Sequence, residues 1–189
     1  MNPSEIRVAC PKWVAERVDW ERRYALAEER VRLAIALSRE NVERGTGGPF
    51  GAAVFEMETG RLVSVGMNLV VAHHNSALHA EMVALMMAEQ SLGSHTLRGT
   101  DLVHHELIAS CDPCAMCLGA ALWSGVSRLV CAADRVDAKV LGFDEGPVYP
   151  ASYRYLEERG VDVVRGVLRE EAREVFGLYR DRGGVIYNG

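Results

Sequence analysis

One histidine and two cysteines stand in two short segments that lie far apart in the sequence, His79-Ala80-Glu81 and Pro113-Cys114-Ala115-Met116-Cys117. Neither segment is specific alone, because C-x-x-C is also a redox pattern and a histidine near a helix start is more often a surface or capping residue. Together they supply one imidazole and two thiolates, the ligand set of a catalytic zinc that leaves its fourth position to water. The fold must therefore bring two distant segments to one point.

The spacing within each segment indicates how the two meet. Cys114 and Cys117, at i and i+3, share one face of a helix, so both sulfurs can reach one ion. In the first turn of that helix, the positive end of the helix dipole favours the thiolate. His79 and Glu81, at i and i+2, point about 200° apart around a helix axis and share a site only if the helix aims its end at it. The sequence therefore predicts two helix amino termini facing one pocket at the edge of a sheet.

The composition is that of one globular domain. Of 189 residues, 49% are hydrophobic and 25% charged, which excludes disorder, collagen and coiled coil. No apolar run approaches the roughly 20 residues of a membrane-spanning helix, and the amino terminus lacks the apolar core of a signal peptide. We therefore expect a cytoplasmic protein without a membrane partner. The net charge of −5 repels phosphate backbones and disfavours a nucleic-acid partner.

Hydrophobic periodicity predicts an α/β fold, a three-layer α/β/α sandwich with a mixed five-stranded sheet. We interpret residues 1–19 as an amino-terminal extension, 20–182 as the domain and 183–189 as a tail. Apolar residues in such a tail should dock, because exposed ends usually fray. Asn75 or Ser76 is the expected cap of the second helix. Helices are predicted over 20–44, 77–91, 114–123, 134–140 and 170–180, and strands over 50–57, 62–70, 102–110, 127–132 and 161–167.

A structural zinc site is the alternative to a catalytic one. Cys111 could supply a fourth ligand, and the chain would then be a zinc-stabilised interaction protein without turnover. Pro113 favours an extended conformation at Asp112, which tends to leave Cys111 on the strand side and outside the cluster. A structural site also leaves Glu81 without a role, whereas a carboxylate beside an activated water can take its proton. These features favour catalysis.

H-x-E followed by P-C-x-x-C is the signature of zinc deaminases. The chain resembles the cytidine deaminase-like superfamily of zinc deaminases from about residue 27 to residue 151, and within it the bacterial guanine deaminases. The motifs that carry this resemblance are Gly48-Pro49-Phe50-Gly51, Asn68, Ser110-Cys111-Asp112-Pro113-Cys114, Trp123 and Gly142-Phe143-Asp144-Glu145. Adenosine deaminases that act on transfer RNA lack the motif at residues 142–145.

The resemblance implies a zinc-dependent deamination of guanine to xanthine and ammonia. It implies that His79, Cys114 and Cys117 hold Zn²⁺. Glu81 would carry a proton from water to the ring nitrogen N3. Glu145 would contact the ring and its amino edge and help to move a proton to the leaving nitrogen.

The resemblance also implies how a small-molecule base is held. Asn68 offers an amide that can both donate and accept at a purine edge, and Phe50 and Trp123 would sandwich the flat base. The backbone of Ala80 would contact its polar edge. A homodimer is expected, and Tyr187 in the tail is the candidate lid over the active site of its own or of a partner subunit.

Other substrates stay open. The same zinc and Glu81 could serve guanosine, cytosine or a triazine such as ammeline. Editing of transfer RNA adenosine is disfavoured by the acidic charge and by residues 142–145.

Overall fold

The computed structural model describes residues 4–98 and 103–188. The strands are β1 (Gly51–Glu56), β2 (Leu62–Met67), β3 (His105–Cys111), β4 (Arg128–Ala133) and β5 (Asp162–Val164). They form one sheet in the order β2-β1-β3-β4-β5. β1 is antiparallel to both of its neighbours, whereas β3, β4 and β5 run parallel. The mixed five-stranded sheet predicted from the sequence is thus confirmed.

The helices cover both faces of this sheet. On β1, Ala53 and Phe55 point into the core shared with α2 and α8, and Ala52 and Val54 point into the core shared with α4 and α5. The alternation along one strand therefore creates two apolar layers, which confirms the three-layer sandwich. The helices are α1 (Trp13–Arg17), α2 (Ala27–Glu43), α3 (Val70–His73), α4 (Ala80–Leu92), α5 (Ala115–Ser124), α6 (Arg135–Leu141), α7 (Pro150–Glu158) and α8 (Arg169–Asp181).

Two helices begin later than the sequence predicted. The α4 helix begins at Ala80, because Asn75 caps a separate turn: its Oδ1 accepts from the N–H of Ala77 at 3.0 Å. Asn75 and Ser76 as helix caps were therefore wrong, and His79 is the residue before the first helical one. The α2 helix begins at Ala27, because the residues just before it lie alongside the β1–β2 turn and are hydrogen-bonded to it.

Helices α1, α3 and α7 were not predicted, because each is short or starts within a stretch that lacks clear periodicity. The strand predicted to end at 167 ends at Val164, and Gly166 turns the chain with φ +80°. The first residue of the predicted strand 102–110 lies outside the described residues. Trp13 and Val14 of α1 are buried in the core cluster that contains α2.

Among the helices of the described ranges, none combines the length and the apolar character needed to cross a membrane.

Candidate active site

A small cavity lies at the edge of the sheet where β2 and β3 end and β1 begins. Ligands of α/β folds commonly bind at the carboxyl ends of parallel strands, where loops leave the sheet. The cavity volume is about 30 Å³, room for roughly two water molecules. It is lined by Phe50, Asn68, His79, Glu81, Asp112, Cys114, Phe143, Asp144, Glu145 and Tyr187.

A histidine and two cysteines converge beside this cavity. His79 is the N-cap of α4 and Cys114 is the N-cap of α5, each with extended backbone. One ligand atom from each of His79, Cys114 and Cys117 lies within 4.8 Å of the others, and Cys114 Sγ is 3.5 Å from His79 Nδ1. Two helix amino termini thus face one point, the arrangement that the i, i+2 spacing of His79 and Glu81 requires.

The donor set of this cluster fits zinc. Cys117, through its hydrogen bond, and then His79 lower the pKa of Cys114 to about 4, despite the burial of that sulfur. Cys114 is therefore a thiolate at neutral pH, the form that binds metal. An imidazole and two sulfurs are the donors that proteins use for a catalytic zinc, so His79, Cys114 and Cys117 would hold this ion.

Two carboxyl groups border the cluster. Glu81, in the first turn of α4, is 7% exposed, and burial raises its pKa to about 7. Burial, reinforced by the negative charges of Cys114 and Glu81, raises the pKa of Glu145 to about 8. Carboxyl groups whose pKa lies near neutrality can both take and release protons.

Asn68 presents an unpaired amide nitrogen to the cavity. Its Oδ1 accepts from the N–H of Val70 at 3.2 Å, and its own N–H donates to the carbonyl of Phe50 at 3.0 Å. The Nδ2 atom is buried and has no partner within the described ranges. The Oδ1 atom already accepts one hydrogen bond, so the amide nitrogen is the unpaired part of this side chain.

Three aromatic rings also line the cavity. Phe50 packs edge-on against Phe143, with 5.1 Å between ring centroids, and Tyr187 packs on the same Phe143 at 4.9 Å. The Tyr187 hydroxyl is buried, and no atom of the described chain bonds to it. The carboxy-terminal tail therefore lies over the cavity of its own chain.

Two of the predicted substrate-binding positions do not reach the cavity in one chain. Trp123 is 82% exposed at the end of α5, roughly 13 Å along the helix from Cys114. It does not face Phe50, so the predicted sandwich is not formed within a single chain. Ala80 is buried in the first turn of α4 and does not line the cavity.

Three cavity-lining residues were not assigned to the site from the sequence: Asp112, Phe143 and Asp144. Phe143 and Asp144 belong to the 142–145 motif, in which only Glu145 was assigned a role. The Asp112 carboxylate is buried and pairs with Arg165, which also stacks on Tyr153 with 4.5 Å to the ring centroid. Arg165 follows β5 and is distant in sequence, so no local pattern indicated this pair.

Cys111, the candidate fourth ligand, lies apart from the cluster. It is the last residue of β3, and its thiol contacts the carbonyl oxygen of Asp134 at 3.7 Å. Pro113 thus separates the strand from the helix, as the sequence predicted.

Comparison with known proteins identifies the family. A family model described as the cytidine and deoxycytidylate deaminase zinc-binding region matches residues 25–133. The guanine deaminase of Bacillus subtilis (strain 168) is 34% identical over 140 residues, which cover 74% of this chain and 85% of that protein.

Two solved structures match over almost the whole chain. The guanine deaminase from Nitrosomonas europaea is 39% identical, with a TM-score of 0.89, covering 94% of this chain and 97% of the other. The protein NE0047 in complex with 2,6-diaminopurine is 41% identical, with a TM-score of 0.89 and 96% coverage of both chains. Because the family model matches more than half of the sequence and these relatives align over most of it, the chain belongs to the cytidine and deoxycytidylate deaminase family of zinc-dependent hydrolytic deaminases.

Proposed function

We propose that the protein deaminates the free base guanine by hydrolysis, giving xanthine and ammonia. The observation that carries this proposal is one cavity that combines a zinc-type ligand cluster, two carboxyl groups with pKa values near neutrality and one unpaired amide donor. The relatives named as guanine deaminases, and the 2,6-diaminopurine bound by another, support a purine base as the ligand.

Proton transfer is assigned to the two carboxyl groups. His79, Cys114 and Cys117 would hold the zinc ion, which when bound acidifies water and so supplies a nucleophile at neutral pH. Glu81 takes a proton from the attacking water and passes it to N3 of the ring. Glu145 delivers a proton to the amino group on C2, which leaves as ammonia, and the hydroxyl proton released as the C2 carbonyl forms returns to Glu145. Water and guanine thus give xanthine and ammonia with no proton left over.

Substrate choice is assigned to Asn68. A donor that has no partner in a buried cavity costs free energy until a ligand acceptor meets it. Guanine presents two acceptors, O6 and N7, on one edge, whereas adenine presents the acceptor N7 beside the donor N6. An Asn68 Nδ2 that donates to O6 would therefore favour guanine over adenine.

The tail is proposed as the lid. Asn188 binds the 142–145 loop twice: its Nδ2 donates to the carbonyl of Gly142 at 2.9 Å, and its Oδ1 accepts from the N–H of Asp144 at 2.8 Å. A cavity of about 30 Å³ is too small for a fused two-ring base, so part of its lining moves before a base enters, and we assign this movement to the tail that carries Tyr187. Closure afterwards excludes water from the reacting groups.

A homodimer is proposed because one face of α5 is uncharged and unpartnered in the single chain. This face consists of four residues at helical spacing, Met116, Gly119, Ala120 and Trp123. Of these, Met116 and Trp123 are exposed. The small residues in the middle let a second α5 approach closely. If two copies cross antiparallel there, the partner's Trp123 comes beside Met116, close to the start of α5 and the cavity. Trp123 would then serve the base-binding site from the other subunit.

The net charge of −5 and the enclosed cavity support a small-molecule ligand over a nucleic acid. The test is an ultraviolet assay with guanine and guanosine, together with ammonia release from cytosine and ammeline. We expect guanine to be consumed fastest, because the closed tail leaves little space for a ribose. Preferential turnover of one of the other compounds would replace guanine with that substrate. Tight RNA binding that weakens steeply with salt would revive transfer RNA editing.

A further inference from the structure

A buried asparagine on α2 links the two loops that border the base-binding part of the cavity. Asn41 is 0% exposed, and its Nδ2 donates to the carbonyl oxygens of Gly48 and Asn68, each at 2.9 Å. One carbonyl belongs to the loop before Phe50, and the other belongs to the residue that presents the free amide donor. Asn41 therefore fixes the distance between these two sides of the site.

The amide of Asn41 is oriented by a one-way chain of hydrogen bonds. The indole Nε1–H of Trp13 donates to Thr46 Oγ1 at 3.1 Å, and the Thr46 hydroxyl donates to Asn41 Oδ1 at 2.7 Å. An indole nitrogen can only donate, and a hydroxyl has one proton. Thr46 therefore accepts from Trp13 and donates to Asn41, which leaves the Asn41 Nδ2 facing the two carbonyls.

The hydrogen bonds of Asn41 lie in a closely packed part of the structure. A Cβ on Gly47 would lie 2.0 Å from the carbonyl oxygen of Asn68 and 2.7 Å from the Asn41 Nδ2. The Gly48 N–H also donates to that Asn68 carbonyl, at 3.3 Å. Because the neighbours fill the space, a shift of Asn41 is passed on to the backbone of Asn68 and cannot be absorbed locally.

We propose that Asn41 is a positioning residue for base binding, and that the segment around Trp13 serves to hold it through Thr46. The proposal rests on the proposed function, since Asn68 is taken to meet the base. It gives residues 1–19, which the sequence analysis left without a role, a share in substrate affinity. Neither Trp13 nor Thr46 lines the cavity, so both act through Asn41.

The test compares single-group changes in the zinc-loaded protein. Thr46→Val removes the hydroxyl and leaves the buried Oδ1 of Asn41 unpaired, whereas Thr46→Ser keeps the hydroxyl. Trp13→Phe removes the indole N–H but keeps an aromatic ring, and Trp20→Phe on the exposed Trp20 is its control. We expect Thr46→Val to raise KM for guanine by about tenfold and Trp13→Phe by about threefold, with kcat changed less than about twofold. Thr46→Ser and Trp20→Phe should match the unchanged protein.

A second measurement separates this inference from the identity of the substrate. Amide hydrogen exchange in residues 47–50 and 68–70, measured without any base, should speed up in Thr46→Val and Trp13→Phe but not in their controls. This readout supports the inference even if guanine is not turned over. Unchanged exchange would overturn the positioning role of Asn41. So would an equal KM for Thr46→Val and Thr46→Ser, and so would a loss of kcat and zinc with no change in KM.

Discussion

At the scale of single residues, a change at Glu81 should affect catalysis but not metal binding. It lies in the cavity but outside the three-residue ligand cluster. Glu81→Gln keeps the size of the side chain and removes its ability to carry a proton. We expect this variant to retain zinc, measured by metal analysis, and to lose about 10²–10⁴-fold in kcat for guanine. Comparable turnover by the variant would refute the proton-transfer role.

The raised pKa of Glu145 should make the stability of the zinc-free protein depend on pH. Its pKa is raised from 4.5 to about 8 by burial, so the folded state binds this proton more tightly than the unfolded state. The resulting stabilisation is complete below about pH 4.5 and is lost as the pH rises through about 8. Between pH 5 and pH 8 this proton therefore contributes a fall in the Tm of the zinc-free protein, whereas the Cys114 thiolate, whose pKa is lowered to about 4, contributes a rise.

The matched variant is Glu145→Gln, whose side chain does not titrate. Its loss of stability between pH 5 and pH 8 should be smaller by on the order of 2 kcal/mol, because one unit of pKa corresponds to about 1.4 kcal/mol and the group is not fully enclosed. Parallel curves for the two proteins would show that Glu145 does not hold its proton in the folded state.

At the scale of elements, the contact between α4 and β2 sets the position of His79 and Glu81. A Cβ on Gly66 of β2 would lie 2.1 Å from the carbonyl oxygen of Ala80 and 2.4 Å from the N of Ala84. Gly66→Ala must push the first turn of α4 away from the sheet. We expect a loss of about 1–3 kcal/mol in the free energy of unfolding, measured with denaturant, together with weaker zinc binding.

Gly177 on α8 is the matched control for this change. A Cβ there meets nothing within 4 Å, and alanine is the better helix former. Gly177→Ala should therefore stabilise the protein by about 0.5–1 kcal/mol and leave zinc affinity unchanged. If the two substitutions had the same effect, close packing of α4 on β2 would not be what positions the ligands.

At the scale of the whole molecule, the tail controls access to the cavity. Ending the chain at residue 182 removes Tyr187 and the two hydrogen bonds of Asn188 to the 142–145 loop. We expect kcat for guanine to fall by about tenfold or more, because the cavity can no longer exclude water. Zinc content should not change, since no ligand is removed. Unchanged turnover would contradict the role of the tail as a lid.

Assembly is tested at Trp123, which is 82% exposed in the single chain. Trp123→Ala should lower the molecular mass measured by analytical ultracentrifugation from dimer to monomer and raise KM for guanine. Leu26→Ala, which truncates a 64% exposed side chain at the N-cap of α2, should do neither. A variant that stayed dimeric with an unchanged KM would remove Trp123 from both the interface and the site.

Local patterns in the sequence determined the layers and the chemistry of this protein. The Val, Ala and Phe content of residues 50–57 and the helical periodicity along α2 are properties of neighbouring residues, so they predicted the sandwich. The i, i+3 spacing of Cys114 and Cys117 and the i, i+2 spacing of His79 and Glu81 predicted two helix ends at one point. Pro113 predicted that Cys111 stays on its strand.

Tertiary structure alone decided how the site is closed and held in place. Asn75 forms its own turn and shifts the start of α4 so that His79 caps it. Arg165 reaches Asp112, and Trp13 reaches Asn41 through Thr46. The pairs Arg165–Asp112 and Trp13–Thr46 join residues that are distant in the chain, so no short sequence window contains both partners. Which side chains meet in the cavity depends on packing between elements, and periodicity does not encode that packing.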